Sequence, residues 1–371
     1  MSEGTKIQWA DDTANFWRGC TKVSPGCAHC YAEKNIGVKM GGIEWGKGKP
    51  RVKSMTAFAE VRRWNKKSIV CEVCGTARSG IFMSMKEGCV NPECASRGTA
   101  GRFHRRRVFS LSLGDWLDEE VPIEWWMEMM QTILDCPNLD FLLLTKRPEN
   151  WVVRVDAAFR LMSNNGAPDE QDALWGWLLK WREGAAPENV WLGVSVENQA
   201  MADLRIPQLL QIPAKVRFLS CEPLLGPVDL SGYLSLLDRK EVGLEHDPLA
   251  ATLLQNAIYE DRASAPRMIS WVIVGGESGP KARECATNWI RQIVAECQRG
   301  PGDVACFVKQ LGASPFEQSI TKNSSGMDAA ISSRALQFKD KKGGDICEWP
   351  ADLRVREFPG IQEEKTEGTE K

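Results

Sequence analysis

Six short apolar runs, each closing on polar residues, constrain what this chain can fold into more than any other feature. They are 108–113, 141–145, 190–196, 216–220, 271–274 and 304–308. Between them lie stretches with helical character: 125–134 opened by Pro122, 156–182 broken at Asn164-Asn165-Gly166, 201–211 and 287–298. Strands this apolar, alternating with helices, predict a parallel sheet covered by those helices. The predicted class is α/β: a full or partial (β/α) barrel of six or seven parallel strands. An earlier first strand is expected in Ile7-Gln8-Trp9 or Phe16-Trp17. The polar residues gather where the runs end: Asp115, Lys146, Arg147, Ser195, Glu197, Glu222, Glu277, Ser278, Lys309 and Gln310. In such barrels the chemistry sits at the C-terminal ends of the strands. Any one of these residues alone reads equally well as a cap or an ion pair; their recurrence is the signal.

The loop expected after the first strand carries Cys20, Cys27 and Cys30 in the spacing C-x6-C-x2-C. Pro25 and Gly26 let the backbone turn sharply, and no fourth cysteine lies nearby. A structural zinc wants four closed ligands. An iron–sulfur cluster held by three thiolates keeps one iron open for a small molecule, and such clusters are held by cysteines in short spaced runs. Spacing alone leaves open an iron–sulfur cluster, a zinc completed by His29 or a distant residue, and three buried structural cysteines. The spacing also differs from the common C-x3-C-x2-C of radical S-adenosylmethionine (SAM) enzymes. Residues 31–40 read as a helix leaving the loop, with its N-terminal amides toward the cysteines.

A second cysteine set, Cys71, Cys74, Cys89 and Cys94, is spaced C-x2-C-x14-C-x4-C. Two knuckles on a hairpin-sized span, with Gly75 and Gly88 for the turns, predict a Zn–S4 ribbon over 68–102. From Lys34 to Arg107 there are 17 Lys/Arg against 5 Asp/Glu, a local excess of 12 in a chain of net charge −2. That asymmetry points to a nucleic-acid face, with Lys66, Lys67, Arg102, Arg105, Arg106 and Arg107 as phosphate-gripping candidates and His104 among them. The bland alternative is a solvated basic insert.

The barrel is expected over 1–357, interrupted by the ribbon and by a helical insert at 233–268. A helix is expected over 54–65, with Phe58, Val61 and Trp64 on one face. Residues 312–344 read as a polar loop, 349–359 as a docked tail and 360–371 as disordered. Thirteen cysteines without a secretory leader predict a reducing cytoplasm and metal ligation. No apolar run approaches the roughly 20 residues needed to span a bilayer, so no membrane partner is expected. Fifteen tryptophans suit core packing or base stacking.

Seven blocks in order carry a resemblance: Gly19-Cys20 with Ser24-Pro25-Gly26-Cys27 and Cys30-Tyr31-Ala32-Glu33; Leu144 to Pro148; Gly193 to Asn198; Glu222-Pro223-Leu224-Leu225; Gly275 to Gly279; Lys309-Gln310; and Asp352 to Arg356. Together they resemble the phage-associated three-Cys-motif proteins, a group of divergent radical SAM enzymes. The ribbon and the 233–268 insert depart from that pattern. The resemblance implies a [4Fe–4S] cluster on Cys20, Cys27 and Cys30, with SAM on the open iron and cleaved reductively to a 5′-deoxyadenosyl radical. By strand position it implies that Asp115 takes the SAM amino group and that Ser195 and Glu197 take the ribose. Tyr31, Gly275, Gly276, Glu277 and Ser278 complete the implied cofactor set, and Cys221, Glu222 and Lys309 are the implied catalytic residues. A Gly-Gly-Glu motif after the second strand is missing; Gly276-Glu277 stands near the end of the barrel instead.

The resemblance further implies a phage- or prophage-encoded enzyme in a bacterial cytoplasm, supplied with electrons by a donor such as a flavodoxin. Its substrate would be a base in DNA, and one reaction in the family isomerises an N-linked glycyl-thymidine adduct to the Cα-linked form. A duplex base would have to be flipped out to reach the rim. Two rival readings remain: a radical base-repair lyase resembling spore photoproduct lyase, with Cys221 as its hydrogen-donating thiol, and a zinc-stabilised nucleic-acid-binding protein without catalysis.

Overall fold

The computed structural model describes residues 2–34, 43–79, 89–95, 103–164, 172–234, 269–299, 304–322 and 328–360, leaving aside the side chains of 319–322 and 328–331. Two compact units are distinguished: residues 1–220 with 247–266, and residues 221–246 with 267–371.

The first unit opens with β1 (Ser2–Glu3) and β2 (Asp12–Ala14), which pair antiparallel. The short antiparallel pair β3 (Trp17–Arg18) and β4 (Val52–Lys53) brackets the cysteine loop. Helix α1 (Ala57–Trp64) follows and buries Ala57, Phe58, Val61 and Trp64, the face expected from its periodicity. A three-stranded antiparallel sheet, β5 (Ile69–Cys71), β6 (Ala77–Arg78) and β7 (Phe103–Arg105), forms the ribbon, with β5 in the middle. The repeating part then runs β8 (Arg107–Ser110), α2 (Ile123–Asp135), β9 (Asp140–Thr145), α3 (Asn150–Asn164), α4 (Ala173–Arg182), β10 (Val190–Ser195), α5 (Gln199–Leu210) and β11 (Val216–Cys221). Strands β2, β8, β9, β10 and β11 are neighbours in that order, and every pairing among them is parallel. Parallel strands need covering on both faces, which is why β9 and β10 are buried along almost their whole length.

The first parallel strand is neither of the apolar flanks. It is the polar Asp12-Thr13-Ala14 between them, all three residues buried. Asp12 is accommodated because Arg106 donates to its carboxylate and Gly4 donates a backbone N–H at 3.0 Å. A buried charge is tolerated when paired and hydrogen-bonded, and here the pairing overrides the hydrophobic pattern.

The tryptophans are core material. Trp9, Trp17, Trp64, Trp116, Trp126, Trp181, Trp271 and Trp349 are all at most 2% exposed. Along α3 and α4 the indoles form a chain, with ring centroids 5.8 Å apart for Trp116–Trp151, 4.5 Å for Trp151–Trp181 and 5.2 Å for Trp177–Trp181. Burial in the core accounts for the eight without base stacking.

The second unit contains α6 (Ser231–Leu234), β12 (Trp271–Gly275), β13 (Cys285–Ala286), α7 (Thr287–Arg299), β14 (Ala305–Gln310), β15 (Pro315–Lys322) and β16 (Asp328–Ala335). Strands β12 and β14 pair in parallel. In the first unit the parallel strands stand in linear order with β1 as an antiparallel edge, so the expected barrel is a partial, open one. Residues 312–344 correct the sequence reading: they hold the antiparallel hairpin β15–β16, and β15 also pairs with β13. The expected tail is docked, with Trp349 and Leu353 buried and Phe307 bridging Arg356. Beyond α6, the expected 233–268 insert lies outside the described residues, as do 35–40 of the expected helix after Cys30 and 361–371 of the expected tail.

Candidate functional site

The cysteine loop is built by local geometry first. Pro25–Cys27 forms a turn of 3-10 helix; the Cys27 N–H donates to Ser24 O at 3.0 Å and the Cys30 N–H to Cys27 O at 3.3 Å. All three cysteines are part-exposed and none is in a disulfide. Tyr31, the first residue of the helical turn that follows, is 53% exposed and donates its hydroxyl to Ser112 O at 2.7 Å.

Two charged side chains from the strand ends hold this loop. On one side stands Glu197, fully buried just past β10. Arg205 donates to its Oε2 at 2.7 Å, Lys146 Nζ lies 3.4 Å from Oε1, and the Ser24 hydroxyl donates to Oε1. Burial alone would raise this carboxyl, but Lys146, Arg205 and Ser24 outweigh it and hold Glu197 below the ordinary glutamate value. A Cβ on Gly26 would lie 2.4 Å from both Cγ and Oε1 of Glu197, so only glycine lets the loop close on that carboxylate. Ser195 is buried, and its carbonyl accepts from Arg205 at 2.8 Å.

On the other side stands Arg147, 2% exposed. It donates to Asp115 at 2.9 Å, to Thr21 O at 2.7 Å and to Cys20 Sγ from both terminal nitrogens, at 3.6 and 3.7 Å. Asp115 also accepts from the Thr145 hydroxyl at 2.6 Å, from the Lys146 N–H at 2.9 Å and from the Leu117 N–H at 3.0 Å. Four hydrogen bonds fill what a carboxylate can accept. Both Asp115 and Glu197 are thus engaged within the protein, as anchors of Arg147 and of the cysteine loop. Burial pushes the Cys20 thiol up to about 12, against the lowering effect of Arg147. Sequence reading gave Ser24 and Thr145 only as members of the quoted blocks, without a role, and passed over Arg205.

Within the second unit, Lys309 Nζ forms an ion pair with Glu222 Oε1 at 2.9 Å. Gln310 donates its side-chain amide to Gly276 O at 2.8 Å. Gly275 and Gly276 do permit close backbone approach, and what approaches is the strand beside them: Cβ atoms there would lie 2.9 Å from Gln310 O and 2.4 Å from Leu311 O. Glu277 is clamped by Arg283, which donates at 2.7 and 3.0 Å from its side chain and at 2.8 Å from its backbone N–H. Ser278 is exposed. Cys221 is 0% exposed.

The ribbon cysteines Cys71, Cys74, Cys89 and Cys94 bring all four sulfurs within 4.8 Å of one another. Cys71 and Cys94 are 3.8 Å apart and Cys74 and Cys89 3.5 Å, matching the ~3.8 Å edge of a tetrahedron with 2.3 Å metal–sulfur bonds. The set could hold a metal ion such as zinc. Three of the four pack with Ile69 and Phe103 in a small core. Among the described residues this is the one group of ligand atoms so closely gathered; Cys20, Cys27, Cys30 and His29 form no such group.

The basic residues divide. Lys66 and Lys67 are exposed. Arg106 is 3% exposed, pairs with Asp12 and with Glu3 at 3.2 Å, and lies 5.2 Å over the Trp64 ring. Arg107 is 6% exposed, and Arg105 donates to Leu139 O at 3.4 Å and pairs with Asp140 at 3.3 Å. His104 bonds Asp11 at 2.9 Å and lies 3.9 Å from Glu72. Arg105 and Arg106 are thus paired within the protein and Arg107 is buried: a surplus of charge in the sequence does not say which way it points. Arg102 lies outside the described residues.

Fold and sites define an α/β protein with an open parallel sheet, one four-cysteine ribbon that could hold a metal ion and a second, three-cysteine loop held at the strand ends. More particularly, the chain belongs to the family DUF5131, described as proteins of unknown function, whose model matches residues 4–335. Comparison with curated proteins and with solved structures gave no match. No helix among the described residues is long and apolar enough to cross a membrane.

Proposed function

We propose that this protein is a radical SAM enzyme that carries a [4Fe–4S] cluster on Cys20, Cys27 and Cys30 and modifies a base in phage DNA. The observation that carries the reading is the three-cysteine loop itself: it follows the first parallel strand, and a buried arginine, Arg147, meets its Cys20 sulfur. A donor set of three cysteines, with two arginine N–H groups on one sulfur, suits an anionic cluster. When bound, the cluster and SAM supply one-electron hydrogen-abstraction chemistry.

The chain's own residues bind and orient. Glu197 and Ser24 fix the turn that carries Cys27; Arg147 and Asp115 fix Cys20. Lys66 and Lys67 offer exposed cations for a phosphate backbone, and zinc in the ribbon would rigidify the segment that bears them. The reaction we assign is isomerisation of an N-linked glycyl-thymidine adduct. The bond from the base methylene to nitrogen breaks, a bond to the α-carbon forms, and the hydrogen lost from the α-carbon is returned to nitrogen. The sum consumes no oxidant. The base-repair lyase alternative relies on Cys221, which is fully buried.

The test is to incubate reconstituted protein anaerobically with SAM, dithionite and DNA bearing the N-linked adduct, then digest and analyse the nucleosides. A product of unchanged mass and altered retention supports the assignment. Intact adduct, with no 5′-deoxyadenosine released, sinks it.

A further inference from the structure

Arg147 has a feature that an internal ion pair with Asp115 does not require. Its two terminal nitrogens straddle the Cys20 sulfur at 3.6 and 3.7 Å, while Thr21 O and Asp115 fix the plane of the guanidinium. Nε lies 3.3 Å from Glu119. The side chain is 3% exposed, so its charge is little screened by water. At the Cys27 sulfur the neutral Ser24 hydroxyl stands at 3.7 Å.

The geometry points to Arg147 as the residue that sets the reduction potential of the cluster, acting through the Cys20 thiolate. The inference rests on the cluster reading above. Hydrogen bonds to ligand sulfurs and nearby charge are levers by which a protein tunes an iron–sulfur centre. A fixed cation with two donors on one sulfur favours the reduced, more negative cluster. Arg147 is then a positioning and tuning residue, because it touches the ligand sulfur. Lysine could not replace it fully, because an ammonium lacks the planar fork that spans one sulfur and two oxygen acceptors at once.

The experiment is an EPR-monitored redox titration, with dithionite as reductant, of anaerobically reconstituted wild type, Arg147→Gln, Arg147→Lys and Asp115→Asn. Iron and sulfide content is measured on each sample. The expected result is a cluster in every variant, with reduction at least tenfold less favourable in Arg147→Gln, a fall of about 59 mV for a one-electron couple. Arg147→Lys should fall between that variant and wild type. Asp115→Asn should shift the opposite way, because it removes a negative charge from the same group. A purely structural role would lower cluster content in the Arg147→Gln and Asp115→Asn variants alike without opposite shifts. Equal midpoints in wild type and in a fully loaded Arg147→Gln would overturn the inference while leaving the cluster reading intact. A wild type that takes up no iron would overturn both.

Discussion

Substituting Gly26 by alanine tests how the cysteine loop is held. The added Cβ would lie 2.4 Å from Glu197 Cγ and Oε1 and 2.8 Å from its Cδ. An exposed glutamate would swing aside at little cost. Glu197 is fully buried and fastened by Arg205 and Ser24, with Lys146 beside it, so carboxylate or loop must be displaced. Overpacking of this kind costs about 1–3 kcal/mol. At roughly 2–4 °C per kcal/mol for a unit of this size, Tm should fall by about 2–12 °C. Displacing the loop moves Cys27, so iron bound after reconstitution should fall as well. The assay is thermal unfolding by circular dichroism with iron content on the same samples. Shortening the opposing side chain supplies the control: Glu197→Asp should recover part of the loss in the double variant, a coupling that a cycle of the two substitutions isolates. An alanine variant with the Tm and iron content of wild type would refute the close approach of loop and carboxylate.

Other consequences follow from the same reasoning. Cys71→Ser should abolish zinc uptake by the ribbon, measured by metal analysis, and make the 68–102 segment more susceptible to limited proteolysis than the zinc-loaded wild type, because its small core is built on the cysteines. Lys309→Met leaves the Glu222 carboxylate, 12% exposed, without its cation and should cost about 1–3 kcal/mol in urea unfolding; Lys309→Gln, which keeps a donor, should cost less. Asp140 gives a pH signature: burial raises its carboxyl to about 6, against the lowering by Arg105, Arg107 and His104. A carboxyl raised above its unfolded value holds its proton in the folded state, so its contribution to stability is full below about pH 4 and is lost as pH rises through about 6. Relative to Asp140→Asn, wild type should therefore gain about 2 kcal/mol between pH 6 and pH 4; a constant difference over that window contradicts the raised value.

The parts of the molecule legible in the sequence are those where one physical term dominates. Strands β8 to β12 and β14 are apolar because both sheet faces are covered, and their runs stand out. The ribbon is legible because four thiols at knuckle spacing serve one ion. The hairpin β15–β16 was not, since residues such as Ser319, Ser332 and Ser333 give it the composition of a loop, and β15 also depends on pairing with β13, where Pro315 lies opposite Cys285. The polar strand Asp12–Ala14 was hidden for the same reason: what makes it a strand is Arg106, 94 residues away. At the candidate site, the cysteines and the rim residues could be named from position. Their mutual roles could not. Asp115 looked like a ligand for a cofactor amine and is filled by Arg147, Thr145 and two backbone amides; Gly26 looked like a flexible turn and is a close contact with a buried carboxylate.

The central claim is that Cys20, Cys27 and Cys30 hold a cluster with an open iron. The most direct test is the EPR spectrum of anaerobically reconstituted, dithionite-reduced protein recorded with and without SAM. The account predicts a [4Fe–4S]+ signal whose shape changes on adding SAM and which is absent in Cys27→Ala. A protein that binds zinc alone and stays silent after full reconstitution would contradict it and leave a zinc-stabilised binding protein.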